Sequence, residues 1–208
     1  MSKRQSSIEL LRIISALGIV WFHSGVTGNG IGYIGLTVFL VLTMYFEFGP
    51  NLHKQIPWAT QAKRLLIPFA FWTVAYAAAN VVKHRPILKF DHGTASALLA
   101  GPSIHLWYLP YIAVALALAA AVKARCSART VMVGALAGLV ALLFCLPLAG
   151  KAAFAFGPPA PQWLYGAVPL MIGVILGASI YRLQPLLAVA LAALAVATSA
   201  GVAPPQYL

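Results

Sequence analysis

Long apolar runs, interrupted by Gly, Pro and isolated cations, occupy nearly the whole chain. Seven of them are long enough to cross a bilayer, near 8–25, 31–48, 65–82, 105–122, 130–149, 163–181 and 184–203. The breaks are short and carry turn residues, as at Gly25 to Gly30, Gly49-Pro50 and Gly157-Pro158-Pro159. One longer connection, about 83–104, holds Lys83, His84, Arg85, Lys89, Asp91 and His92. This pattern predicts an all-α, polytopic membrane helix bundle of about seven transmembrane helices, with residues 1–208 forming a single domain. No soluble domain, internal repeat or low-complexity tract stands out.

Composition agrees with that class. Of 208 residues, 62% are hydrophobic and 8% charged, and the mean hydropathy is +0.89. A soluble domain of this size cannot hide so much apolar surface. The net charge of +11 raises nucleic acid as a partner, but the cations stand at the ends of apolar runs and not on one polar face. The lipid bilayer is the expected partner, and nucleic acid is not.

The cations also predict an orientation. With the N-terminus cytoplasmic, the inner side holds Lys3, Arg4, Arg12, Lys54, Lys63, Arg64, Lys123, Arg125, Arg129 and Arg182. The outer side then holds Lys83, Arg85, Lys89 and Lys151. Lys3 and Arg4 before an apolar stretch imitate a secretory signal. Arg12 and His23 interrupt that stretch and no small-x-small site follows, so the segment reads as a retained first span. Cys126 and Cys145 lie near opposite ends of one predicted helix, roughly 30 Å apart and beyond disulfide reach. The thiols are read as structural.

The ionisable residues inside the spans carry the candidate chemistry, because each is costly there. Arg12 and His23 are eleven residues apart in the first span. Eleven steps of about 100° return almost to the starting azimuth and cover roughly 16 Å. A guanidinium and an imidazole thus share one helix face, near opposite ends of the hydrocarbon layer. The second span runs back and carries Glu47 toward Arg12, while Arg64 stands at the inner end of the third. His105 opens the fourth span on the outer side, level with His23. Glu9, one turn before Arg12, is spaced for a supporting ion pair. No His, Cys or acidic cluster has metal-ligand spacing, so no metal is expected.

Arg12 and His23, within Ile8-Glu-Leu-Leu-Arg-Ile-Ile and its continuation, resemble the first-helix pattern of the family-3 membrane acyltransferases. These bacterial membrane enzymes O-acylate carbohydrates and other surface molecules. Three further stretches are similar, in order: Gly35-Leu-Thr-Val-Phe-Leu-Val-Leu-Thr-Met-Tyr45, Lys63-Arg-Leu-Leu-Ile-Pro-Phe-Ala-Phe-Trp72 and His105-Leu-Trp-Tyr-Leu109. Pro169-Leu-Met-Ile-Gly-Val-Ile-Leu-Gly177 resembles a later family helix. There are departures. Thr43-Met44 stands where the family has Ser-Gly, so a methionine replaces the small residue that lets helices approach closely. Gln61-Ala-Lys-Arg64 matches only the second arginine of an Arg-x-x-Arg pair. The family usually has about ten spans, so the chain is expected to be short at its C-terminal side.

The resemblance implies transfer of an acyl group, with acetyl the expected one, from acyl-CoA to a hydroxyl of a cell-envelope carbohydrate, in the cytoplasmic membrane of a bacterium. No permanently bound cofactor is implied; acyl-CoA is a donor substrate. Acyl transfer needs a base for the hydroxyl proton and stabilisation of the oxyanion. His23 is the candidate base, since imidazole exchanges protons near neutral pH. Arg12, permanently charged, is the candidate clamp for donor phosphates, with Lys63 and Arg64 extending that anion site. His105, Trp107 and Tyr108 are candidate acceptor contacts, and Glu47 and Glu9 supporting groups. Two alternatives stay open: an inactive remnant or partner subunit of such an enzyme, or a small membrane transporter or flippase.

Overall fold

The computed structural model describes residues 6–24, 27, 29–49 and 57–179. Among them are seven α-helices and no strand: α1 (Ser6–Ser24), α2 (Tyr33–Phe48), α3 (Trp58–Val82), α4 (Thr94–Ala100), α5 (Tyr108–Lys123), α6 (Ala128–Phe156) and α7 (Ala160–Ala178). Two 3-10 turns, Asn29–Gly32 and Ile104–Trp107, precede α2 and α5. Four stretches are long and apolar enough to cross a membrane: Trp58–Val82, His105–Lys123, Ala128–Phe156 and Ala160–Ala178. Leu10–Ser24 and Tyr33–Phe48 are shorter apolar helices. This is the all-α membrane bundle that the apolar pattern predicts. Six expected spans coincide with helices; the seventh, 184–203, lies outside the described residues, as do Lys3, Arg4, Lys54 and Arg182.

Three boundaries differ from the sequence reading, each for a local reason. α3 starts at Trp58, not near 65, because the Pro57 carbonyl accepts hydrogen bonds from the Thr60 and Gln61 amides at 2.8 and 3.2 Å. The polar residues that follow end an apolar run without breaking a helix. α6 likewise runs past Lys151 to Phe156 and stops at Gly157, whose φ is +72°. The 83–104 connection is not all loop, since α4 lies within it between Gly93 (φ +90°) and Gly101 (φ +70°). Cys126 precedes α6 and does not lie in it; Cys126 and Cys145 are both free and exposed.

The chain forms two compact units. The first comprises Met1–Pro50, Ala128–Val140 and Tyr165–Leu208. Here α1 and α2 make an antiparallel hairpin, with Phe22 against Tyr33 at a ring separation of 5.1 Å and the Ser15 backbone against Gly35. A Cβ on Gly18 would stand 3.1 Å from the Gly32 carbonyl. Small residues bring the backbones together where burial from water supplies no driving force. Ser15 and Thr37 are buried.

α7 packs on α2 in the same unit and runs parallel to it: Gly173 meets Val41 and Met44, and Gly177 meets Tyr45 and Phe48. A Cβ on Gly173 would come within 2.8 Å of Met44 Cβ. The loss of close approach expected at Met44 therefore does not occur. Close packing needs one small partner, and α7 supplies it. The neighbouring Thr43 hydroxyl donates to the Phe39 carbonyl at 2.7 Å, on its own helix.

The second unit comprises Asn51–Ser127 and Ala141–Leu164. α3 packs on α5, and α4 packs on the 3-10 turn Ile104–Trp107. None of the 25 residues of α3 is fully buried, so the helix presents much of its surface outward. It ends in a Schellman motif: the Arg85 amide donates to the Asn80 carbonyl (2.8 Å) and the His84 amide to that of Val81 (3.0 Å). His84 takes the left-handed position of that motif, with φ +52°. The connection is anchored further along, where the Ser96 hydroxyl donates to the Pro158 carbonyl and the His92 ring lies against Gly157. The 83–104 connection and the Gly157-Pro158-Pro159 turn therefore lie on one side of this unit, as alternating spans require.

Candidate functional site

In the first unit, Arg12 and His23 stand on one unbroken helix, α1. Their eleven-residue spacing keeps them on one side of it, beside the seam that Ser15, Gly18 and Phe22 make with α2. Arg12 is half-buried, and its guanidinium carbon lies over the Phe46 ring, 4.9 Å from the centroid. Side chains lean toward the N-terminus of their own helix. In an antiparallel pair, Arg12 therefore leans toward the end of α2 while Phe46 leans back to meet it. The last turn of α2 also carries Glu47, half-buried, so Arg12 and that turn share one end of the hairpin. Glu9 stands three residues before Arg12 on α1. His23 lies in the last turn of α1, exposed, its ring edge-on to Phe22 at 5.0 Å.

In the second unit, Lys63 and Arg64 are exposed in the first half of α3. Pro68, which has no N–H, leaves the Arg64 carbonyl without its helical partner. Lys63 heads an open apolar groove that continues through Leu66, Ile67, Ala70, Phe71 and Val74. At the other end of α3, the Tyr76 ring stands edge-on to His105, 4.9 Å between centroids. His105 Nδ1 is 3.0 Å from the Ser103 hydroxyl. Trp107 is buried, 6% exposed, with Tyr108 at 6.1 Å and Tyr111 at 5.6 Å. Its ring is part of the packing behind Tyr108, and His105 and Tyr108 are half-buried. The aromatic pile continues from Tyr111 to Trp163 at 5.4 Å. Beside it, Gln162 Oε1 and Trp163 Nε1 are buried with no hydrogen-bond partner among the described residues.

The structure thus brings the sequence candidates together in two sets: Arg12, His23 and Glu47 on the α1–α2 hairpin, and His105, Trp107 and Tyr108 at the start of α5. Four residues at these sites have no place in the sequence reading: Phe46, Tyr76, Asn80 and Ser103. Asn80 was open to discovery, as an amide inside an apolar span is costly unless paired. The other three have side chains common at membrane boundaries, and only their contacts distinguish them. Among the described residues no group of three His, Cys, Asp or Glu side chains could hold a metal ion.

No curated protein and no solved structure matches this chain. The model of the acyltransferase family 3 domain, described as an acyltransferase domain, matches residues 5–208. That match runs through both units, over the helices that carry Arg12, His23, Lys63, Arg64 and His105. The chain is therefore a member of acyltransferase family 3, built as a bundle of apolar helices.

Proposed function

We propose that this protein transfers an acyl group, most simply acetyl, from acyl-CoA to a hydroxyl of a cell-envelope carbohydrate. The observation that carries the reading is the single helix bearing Arg12 and His23 in a chain of this family. Arg12 clamps donor phosphate through charge-assisted hydrogen bonds, and Lys63 and Arg64 are further candidate donor-binding cations. His23 takes the acceptor hydroxyl proton as the oxygen attacks the thioester carbon. The C–S bond then breaks, and the departing thiolate recovers the proton from the imidazole. The roughly 16 Å of helix between the two groups suits a donor whose phosphates and thioester sit at opposite ends of a long, thin arm. His105 and Tyr108 hold the acceptor, with Trp107 packed behind them. In this reading the N-terminus is cytoplasmic and the membrane is the bacterial inner membrane.

The test is His23→Ala and Arg12→Ala in cells, with ester-linked acetate on envelope glycan measured against the amount of membrane-inserted protein. Loss of ester at normal protein level supports the reading. Unchanged ester in both variants overturns it, and altered movement of a lipid-linked sugar with normal ester points to a transporter.

A further inference from the structure

Tyr76 and Ser103 meet His105 from two directions, and Asn80 ties down the segment that leads to it. Asn80 and Tyr76 are one turn apart on α3 and so share a face. The Asn80 amide donates to the carbonyl of Pro86 at 3.3 Å and to that of Pro102 at 3.2 Å. Both of its N–H groups are used, and the two ends of the 86–102 segment are tied to one side chain. The tie at Pro102 fixes the backbone entering Ser103. The Tyr76 ring, at 76° to the imidazole plane, restrains the rotation of His105.

Ser103 is extended (φ −141°, ψ 130°) and stands at the cap position of the 3-10 turn that carries His105. A serine there ordinarily caps a backbone N–H of the turn. Here its hydroxyl makes no cap bond and lies 3.0 Å from His105 Nδ1. The imidazole has taken the hydroxyl from the backbone.

We propose that Ser103 is a positioning residue for His105, holding Nδ1 so that the ring meets the acceptor through Nε2, on a mount formed by Asn80 and Tyr76. This rests on the reading that His105 contacts the acceptor. The two ring nitrogens are chemically distinct, and the partner of one fixes what the other does. With Nδ1 held by Ser103, a hydrogen bond to a sugar hydroxyl forms at Nε2 in a fixed direction.

Two measurements test the proposal. The first is independent of activity: ring-15N-histidine-labelled full-length protein in lipid nanodiscs, with the His105 signal assigned by its loss in His105→Gln. Ser103→Ala is expected to move the Nδ1 resonance, and Ser103→Thr, which keeps the hydroxyl, to leave it in place. An unchanged Nδ1 signal in Ser103→Ala overturns the coupling. The second uses membranes, radiolabelled acetyl-CoA and envelope glycan stripped of its esters by mild alkali. Ser103→Ala is expected to raise KM for the glycan roughly two- to tenfold, with KM for acetyl-CoA unchanged and Ser103→Thr near wild type. Unchanged glycan KM, or equal loss in the Thr variant, overturns the positioning role. If the wild-type protein transfers no acetyl group, the functional reading fails, while the nitrogen signals still decide whether Ser103 holds His105.

Discussion

The guanidinium of Arg12 lies over the ring of Phe46, 4.9 Å from its centroid. An aromatic face attracts a cation through its quadrupole. Phe46 thus restrains the Arg12 guanidinium at that end of the α1–α2 hairpin. Replacing Phe46 with Leu removes the stack and keeps an apolar side chain. If Arg12 clamps acyl-CoA as proposed, KM for acyl-CoA is expected to rise about two- to fivefold, from about 0.5–1 kcal/mol, and Phe46→Trp is expected to keep the wild-type value. Steady-state kinetics on membranes checks both.

Gly173 sits where α7 meets α2, with the Val41 carbonyl and Met44 Cβ in the space a side chain would need. The carbonyl is backbone and has no rotamer to change. Gly173→Ala is therefore expected to lower the melting temperature in detergent, at a cost of roughly 1–3 kcal/mol. Adding Met44→Gly, which removes that Cβ, is not expected to restore it. Full recovery in the double variant would place the obstruction in the methionine.

Asn80 gives each of its amide protons to a proline carbonyl. Asn80→Leu leaves the Pro86 and Pro102 carbonyls without those donors, at roughly 1–3 kcal/mol. Asn80→Asp sets a carboxylate oxygen against two carbonyl oxygens and is expected to be worse. Limited proteolysis within 86–102 reports the release of the segment, and should proceed fastest in the aspartate variant.

His84 occupies the left-handed position that ends α3, at φ +52°. That conformation costs a residue with a Cβ roughly 1–2 kcal/mol, while glycine gives back part of the gain through its freedom in the unfolded chain. His84→Gly is expected to stabilise the protein by about 0.5–1 kcal/mol, and the β-branched His84→Val to destabilise it. Thermal melts of the two variants in one detergent should move in opposite directions.

Much of the fold was legible because a bilayer requires long apolar helices, and hydropathy measures that requirement directly. The same property set its limits. Lys63, Arg64 and Lys151 end apolar runs without ending helices, so α3 and α6 extend beyond the hydrophobic pattern. Met44 shows a second limit. A single helix reads as having lost its small contact residue, yet packing belongs to a pair of surfaces, and Gly173 completes this one.

The sequence by itself determined the membrane class, the helical composition, the family and the placing of Arg12 and His23 on one side of one helix. These follow from local rules: hydrophobic length, helical period and ordered motifs. Tertiary structure decided which groups hold the candidate site residues. Phe46 lies under Arg12, Ser103 and Tyr76 meet His105, Asn80 ties down the segment before it, and Trp107 is buried behind Tyr108. Except for Ser103 and Trp107, which stand within two residues of His105 and Tyr108, each of the positioning groups is brought in from another helix. A helical period specifies the direction a side chain leaves its own axis, but the partner it meets depends on how neighbouring helices cross.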